Sequence, residues 1–284
     1  SSVFVLVHPF SIKKKTERGV FFMPQNRKKG TTPPIWVSQN FLTSYKIINR
    51  IIRRTTLNKD DHVIEIGPGK GHITGILIQK CRKVSAIEID GRLYNRLTAK
   101  FKDVKNIRIY HQDFMKWKLP NYEDYKVFSN IPFCFTTDIM RKLTECKNAP
   151  SEAWLTMEKG AAKRFMGEPS ESLRSLLIKP KFDLDIAYYF SREDFHPKPS
   201  VDVVLLHLKK KSQPDIPANQ WFAYEQFVSK ALKYGFRSLF TSKQLSRAFR
   251  QAGVQNKNIT PTEILYVQWL CLFRCYWEHV LGRK

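Results

Sequence analysis

Three points in the first half of the chain carry residue types that together would hold a nucleoside. The apolar positions Val63, Ile64 and Ile66 lead into the loop Gly67-Pro-Gly69-Lys-Gly71. Glycines directly after a strand let the backbone turn tightly and come close to a ligand at a helix N-terminus. The spacing is not the dinucleotide GxGxxG, and no Gly-Lys-Ser/Thr follows as in a Walker loop. A plain structural turn remains open. About 20 residues on, Glu88 ends a second strand, where a carboxylate can accept both ribose hydroxyls. Glu88 can also be read as a surface acid, like its neighbour Asp90. Asp113 ends a third strand and can accept from an adenine amino group, with Phe114 packing on the ring. Ligands of open α/β sheets sit at the carboxyl ends of strands. The combination implies a nucleoside cofactor with no required phosphate, and points to S-adenosylmethionine.

A fourth strand ends in Asn130-Ile131-Pro132-Phe133. The lone pair of adenine N6 is delocalised into its ring, so this amine is a poor nucleophile. Acceptors for its N–H bonds, here the Asn130 side-chain oxygen and the Ile131 or Pro132 carbonyl, would favour a more localised, tetrahedral nitrogen. Proline stiffens the turn and removes a competing N–H. Phe133 offers a stacking face worth ~1–3 kcal/mol. No base is needed before attack, because the proton becomes acidic once the methyl is added, and catalysis is mostly positioning. The bland alternative is that Asn130-Ile131-Pro132 is a turn and nothing more.

The elements that must position these residues alternate. Helical spacing of Ile47, Ile48, Ile51 and Ile52 predicts a helix over 44–54. Strands are expected at 63–66, 84–90, 106–113, 125–130 and 152–157, with helices from 73, 91, 137 and 159. That order predicts a parallel sheet covered by helices on both faces. The runs 184–190 and 201–208 have no helix between them and predict an antiparallel closing pair. Beyond Pro214 and Pro217 the pattern is helical to the end.

Composition restricts the partners. Of 284 residues, 49 are Lys or Arg and 25 Asp or Glu, a net charge of +24. That excess calls for a polyanion, first of all nucleic acid. No apolar run reaches the ~18–20 residues of a membrane span. Five cysteines without CxxC or Cys/His ligand spacing predict free thiols in a reducing compartment and no metal. Cys271 and Cys275 are expected to pack in a helical core. Residues 1–34, with seven basic residues and one acid, read as a flexible arm. Residues 1–22 are expected to be vector-derived or an upstream extension, Met23 being a natural start. The domains expected are the arm 1–34, a catalytic domain 35–212 and a helical RNA-binding domain 213–284. In the last, Lys243, Arg247 and Arg250 repeat at i, i+4, i+7, with Lys233 and Arg237 on the preceding helix. Lys163 and Arg164 extend the basic surface beside the active site. A merely solvated face is the alternative for such a charge run.

Ser38-Gln39-Asn40-Phe41-Leu42, the glycine loop, "AIEID", "HQDF", "NIPF" and "FHPKPSVD" occur in an order that resembles the rRNA adenine-N6 methyltransferases. That superfamily holds the Erm enzymes and the KsgA/Dim small-subunit dimethyltransferases. The match covers about residues 37–253. "EKGAAKRF" and "FVSKALKYGFRSLFTSKQLSRAF" look like Erm. The resemblance implies a Rossmann-like S-adenosylmethionine-dependent methyltransferase domain with a seven-stranded, mostly parallel sheet, plus a small C-terminal all-α domain. It implies N6 methylation of one adenosine in the peptidyl transferase loop of 23S rRNA, and macrolide, lincosamide and streptogramin B resistance. A cytoplasmic monomer with no membrane partner is expected. Gln39, Asn40 and Leu42 would line the methionine end of the cofactor, and Gly67, Gly69 and Gly71 would cradle it. Glu88 would hold the ribose, and Asp113 and Phe114 the adenine. Asn130 would face both cofactor and base, Phe133 would stack on the base, and Phe195 would close over its other side. Phe133 departs from the family's common Tyr, which keeps the stacking face and loses a hydroxyl. Two alternatives are a small-subunit dimethyltransferase and an inactive RNA-binding factor on the same fold. A DNA adenine methyltransferase is disfavoured by Ile131, where such enzymes carry Pro.

Overall fold

The structure is a computed structural model that describes residues 40–256 and 258–282, which fall in one compact unit. The arm of residues 1–34 and Gln39 lie outside the described residues. In chain order the elements are β1 (Phe41–Leu42), α1 (Tyr45–Arg53), β2 (His62–Ile66), α2 (His72–Lys80), β3 (Lys83–Glu88) and α3 (Gly91–Lys100). Next come β4 (Ile107–His111), β5 (Lys126–Asn130), α4 (Thr136–Glu145), β6 (Glu152–Glu158), α5 (Lys159–Met166) and α6 (Leu173–Ile178). The chain continues through β7 (Phe182–Tyr189), β8 (Phe195–His196) and β9 (Val203–Lys210) to α7 (Trp221–Tyr234), α8 (Ser242–Gln251) and α9 (Tyr266–Tyr276).

Seven strands form one sheet in the order β4-β3-β2-β5-β6-β9-β7, parallel from β4 to β6. The expected antiparallel closing pair is β7 and β9, and β9 also runs antiparallel to β6. All of β2 and all but the last residue of β6 are buried, as parallel strands covered on both faces require. Alternate residues serve opposite layers. Ala153, Leu155 and Met157 pack with Ile139 and Leu143 of α4 and Ala162 of α5. Trp154 packs with Ile48 and Ile51 of α1 and Leu77 of α2.

Local chemistry starts the helices. The Ser44 side chain accepts from Ile47 N, and Asp90 Oδ1 accepts from Arg92 N at 2.8 Å and Leu93 N at 3.1 Å. Thr241 and Gln244 form a reciprocal cap on α8. Two features were not anticipated. Helix α6 is six residues long, too short to display a helical period. Strands β1 and β8 have two residues each and pair antiparallel, Phe41 with His196 and Leu42 with Phe195, so no local pattern announces them.

Helices α7–α9 have an aromatic core around Phe227, Trp269 and Phe273, into which Leu176 of α6 also packs. Cys275 is buried there and Cys271 packs against it, as expected for core cysteines. The fully buried Tyr224 donates its hydroxyl to the Leu176 carbonyl at 2.9 Å, tying α7 to α6. Tyr224→Phe is expected to cost about 1 kcal/mol of stability, a typical net hydrogen bond. Urea unfolding measures it, and an unchanged midpoint would show that this tie contributes nothing.

Candidate active site

The carboxyl ends of β2, β3 and β5, with the turn after β4, surround a cavity of about 230 Å³. Gly67, Glu88, Asp113, Phe114, Pro132 and Phe135 are among its walls. The site is thus built from the segments picked out in the sequence, and the sheet order brings them to one edge.

All three glycines of the loop are in the left-handed region. Gly67 has φ +63°, in the left-handed region, and a Cβ there would meet nothing within 4 Å. Gly69, at φ +58°, is pressed by the first strand, since a Cβ would stand 2.8 Å from Phe41 Cε1. Gly71 precedes α2 as its N-cap residue.

Glu88 is 1% exposed. Its Oε2 accepts from Gly69 N at 3.0 Å and its Oε1 from Asp90 N at 2.9 Å. Burial raises its pKa, and bonds from the Asp90, Gly69 and Ile89 backbone oppose the rise. A carboxylate has about four lone-pair sites, so each oxygen retains acceptor capacity. Asp113 lies just past β4, half-buried, and its Oδ1 accepts from Met115 N at 2.8 Å. Phe114 is buried, its ring stacked 6.5 Å from that of Trp117.

Asn130 ends β5. Its Nδ2 donates to the Asn40 carbonyl at 2.7 Å. Its Oδ1 is buried and has no hydrogen-bond partner among the described residues. Asn40, Phe41, Gly67, Asn130, Ile131 and Pro132 line a second, small cavity of about 20 Å³. Gly67 and Pro132 are walls of both cavities, so the two adjoin. Phe133 is half-buried in a 3₁₀ turn, Phe133–Phe135. That turn is fixed by Phe135 N donating to the Pro132 carbonyl at 3.0 Å and Thr136 Oγ1 to the Phe133 carbonyl at 2.9 Å.

Leu42 and Phe195 sit differently from a ligand-facing pair. Both are buried, at 3% and 4% exposure, and face each other across the β1–β8 pairing. The Phe195 ring meets Phe190 edge-on at 5.2 Å. Met115, Phe135 and Ile139 also wall the larger cavity and were not singled out in the sequence. Their apolar character reads as ordinary core. Glu65 lies in β2, just before the glycine loop. It is buried beneath the loop, accepts from Thr74 Oγ1 at 2.7 Å, and burial pushes its pKa up to about 8.

The basic residues lie at the surface. Arg164, Lys233, Arg237, Lys243, Arg247 and Arg250 are exposed, while Lys163 is partly exposed and 3.6 Å from Glu168. Lys243, Arg247 and Arg250 line a groove of about 940 Å³ together with Phe240 and His279. Among the described residues no three His, Cys, Asp or Glu side chains are grouped to hold a metal ion, and no helix is long and apolar enough to cross a membrane.

A profile of the ribosomal RNA adenine dimethylases matches residues 35–274. The chain belongs to that family. Within it, an rRNA adenine N-6-methyltransferase from Escherichia coli is 36% identical over 239 residues, 84% of this chain and 94% of that protein. One of the same name from Bacillus licheniformis is 31% identical over 284 residues, 96% of each. Among solved structures, the 23S rRNA methyltransferase ErmE matches with a TM-score of 0.76 at 26% identity, covering 84% of this chain and 99% of that one. The Rossmann-like methyltransferase fold expected from the sequence is the fold observed.

Glu65 makes a pH prediction. Its unfolded pKa is ~4.3, while the folded value is about 8. Between these values the folded state keeps a proton that the unfolded state releases, so stability falls as pH rises through the window. Glu65→Gln keeps an acceptor for Thr74 without the charge. Its unfolding midpoint is expected to vary less than that of wild type from about pH 5 to about pH 8. Parallel curves would show that burying this carboxyl does not govern the pH dependence.

Proposed function

We propose that the protein transfers a methyl group from S-adenosylmethionine to N6 of one adenosine in 23S rRNA. The observation that carries this reading is the Asn130 Oδ1, a buried acceptor without a partner beside the larger cavity. An orphan acceptor costs stability unless a ligand satisfies it. Family membership, the names of the relatives and the likeness to ErmE support the same substrate.

The residues present fit the cofactor. Glu88 and Asp113 keep lone pairs for the ribose hydroxyls and the adenine amine, Phe114 and Phe135 supply apolar walls, and Gly67 leaves its Cβ position open. Gln39 and Asn40 are assigned to the methionine end, and Leu42, buried opposite Phe195, to holding β1 behind them. When bound, S-adenosylmethionine supplies an electrophilic methyl on its sulfonium. Asn130 Oδ1 accepts one N–H of the target amine, and the Ile131 or Pro132 carbonyl takes the other. The Pro132 carbonyl already accepts from Phe135 N, which favours Ile131. Phe133 supplies the stacking face. Phe195, buried against Phe190, is assigned to supporting β1, with stacking on the base requiring its ring to turn out. Segment 213–284 is assigned as the RNA-binding domain, and Lys163 and Arg164 as contacts nearer the site. A cytoplasmic monomer conferring macrolide, lincosamide and streptogramin B resistance is the biological form of this reading.

Primer extension on rRNA from cells expressing the protein tests the function. A stop in the peptidyl transferase loop of 23S rRNA is expected, whereas a stop only in small-subunit rRNA would replace the reading with the KsgA/Dim type. Two predictions address its parts. Asn130→Ala is expected to cripple single-turnover methylation while RNA affinity stays nearly intact, whereas Phe133→Ala loses a stacking platform at a cost of ~1–3 kcal/mol. A Phe133→Ala enzyme as active as wild type would remove Phe133 from the site. Replacing Lys243, Arg247 and Arg250 together by Glu is expected to weaken RNA binding and flatten the log affinity against log salt slope by roughly 2–3. An unchanged slope would leave that face merely solvated.

A further inference from the structure

Lys142 lies in α4, the helix that follows the turn carrying Asn130 and Pro132, and has no role in the assignments above. Its Nζ donates to the carbonyl oxygens of Phe114 at 2.5 Å, Met115 at 2.9 Å and Trp117 at 2.6 Å. It also stands 4.8 Å from the centroid of the Phe114 ring. A lysine ammonium has three donors and no acceptor, so every N–H is committed to one short turn.

That turn is the one that brings Asp113 and Phe114 to the larger cavity. Lys116 N and Trp117 N donate to the Asp113 carbonyl at 3.0 and 2.9 Å, winding 113–117 into a single helical turn. No helix continues from it, so the Met115 and Trp117 carbonyls gain no donor from a further turn, while the Phe114 carbonyl accepts from Trp117 N at 3.2 Å as well as from Lys142. A lysine commonly meets such carbonyls at a helix end. Burial lowers the Lys142 pKa, and the Asp113 charge opposes this, so the carboxylate helps to keep the clamp charged.

We propose that Lys142 is a positioning residue for the adenosine half of the cofactor. It locks the 113–117 turn with Asp113 and Phe114 facing the cavity, and ties that turn to the helix that begins beside the target-base turn. The inference rests on the reading of this cavity as the S-adenosylmethionine site. Lys142→Met keeps side-chain length and removes all three donors. Lys142→Arg keeps the charge, but a planar guanidinium cannot send three N–H bonds from one atom to three carbonyls.

Calorimetry with S-adenosylmethionine and with 5′-methylthioadenosine, which lacks the amino-acid end, tests it. Lys142→Met is expected to weaken both ligands by the same factor, roughly tenfold, because only adenosine contacts are disturbed. In steady state the KM for S-adenosylmethionine rises while kcat at saturating cofactor stays within about threefold of wild type. Lys142→Arg falls between the two, and it carries the same comparison if thermal unfolding shows the Met variant to be misfolded. The proposal is overturned if 5′-methylthioadenosine binds the folded variants within about twofold of wild type, or if kcat falls with KM unchanged. Wild-type protein that binds neither ligand would instead overturn the cofactor reading itself, and this inference with it.

Discussion

The 2.7 Å hydrogen bond from Asn130 Nδ2 to the Asn40 carbonyl decides what this site can do. An amide has donors on one atom and lone pairs on the other. Donating one of the two N–H groups to Asn40 fixes the plane of the amide and leaves its oxygen open to a ligand. The bond exists only if Asn40 is held in place, and two distant parts of the chain hold the strand that follows it. Phe41 and Leu42 pair with His196 and Phe195, the Leu42 side chain is buried, and the Phe41 ring lies against Gly69. The orientation of one amide at position 130 therefore depends on residues near 40, 69 and 195.

Charge is arranged with equal economy around the glycine loop. Glu65 and Glu88 are buried to the same extent, and burial disfavours the ionised form of each. They are relieved in different ways. Glu65 has a hydroxyl donor in Thr74 and is pushed towards the neutral acid. Glu88 receives backbone N–H bonds that favour its anion, and by accepting from Gly69 and Asp90 it fastens the loop to the start of α3. One acid supports the loop from beneath, and the other is left with acceptor capacity at the cavity.

The basic surface is a separate device from the cavity. The cavity has apolar walls with two carboxylates, whereas the groove by α8 presents Lys243, Arg247 and Arg250. An apolar pocket discriminates by shape and a few placed polar groups. A basic face attracts a polyanion at longer range and is indifferent to sequence. On the function proposed above, the separation keeps the cations of that face away from the place a methyl-donating sulfonium would take.

Residue order alone determined much of this protein. Alternation of short apolar runs with helical spacing specified the sheet and its covering layers, because those periods are local consequences of backbone geometry. Gly67, Glu88, Asp113 and Asn130 were legible for the same reason: each stands at the end of a strand, and strand ends of a parallel sheet converge. What stayed illegible depends on contacts between residues far apart in the chain. The resemblance has Phe195 closing over the target base, but its side chain is buried where β8 pairs with β1. Nothing in the local sequence marks Lys142, and only the packing of α4 against the 113–117 turn gathers three carbonyls around it. The Asn130 type was plain from sequence, but which of its two polar atoms is left without a partner was settled by Asn40, 90 residues away. Sequence specifies which groups exist and their local direction; the tertiary structure decides which of them are satisfied, and it leaves Asn130 Oδ1 without a partner at the wall of a cavity.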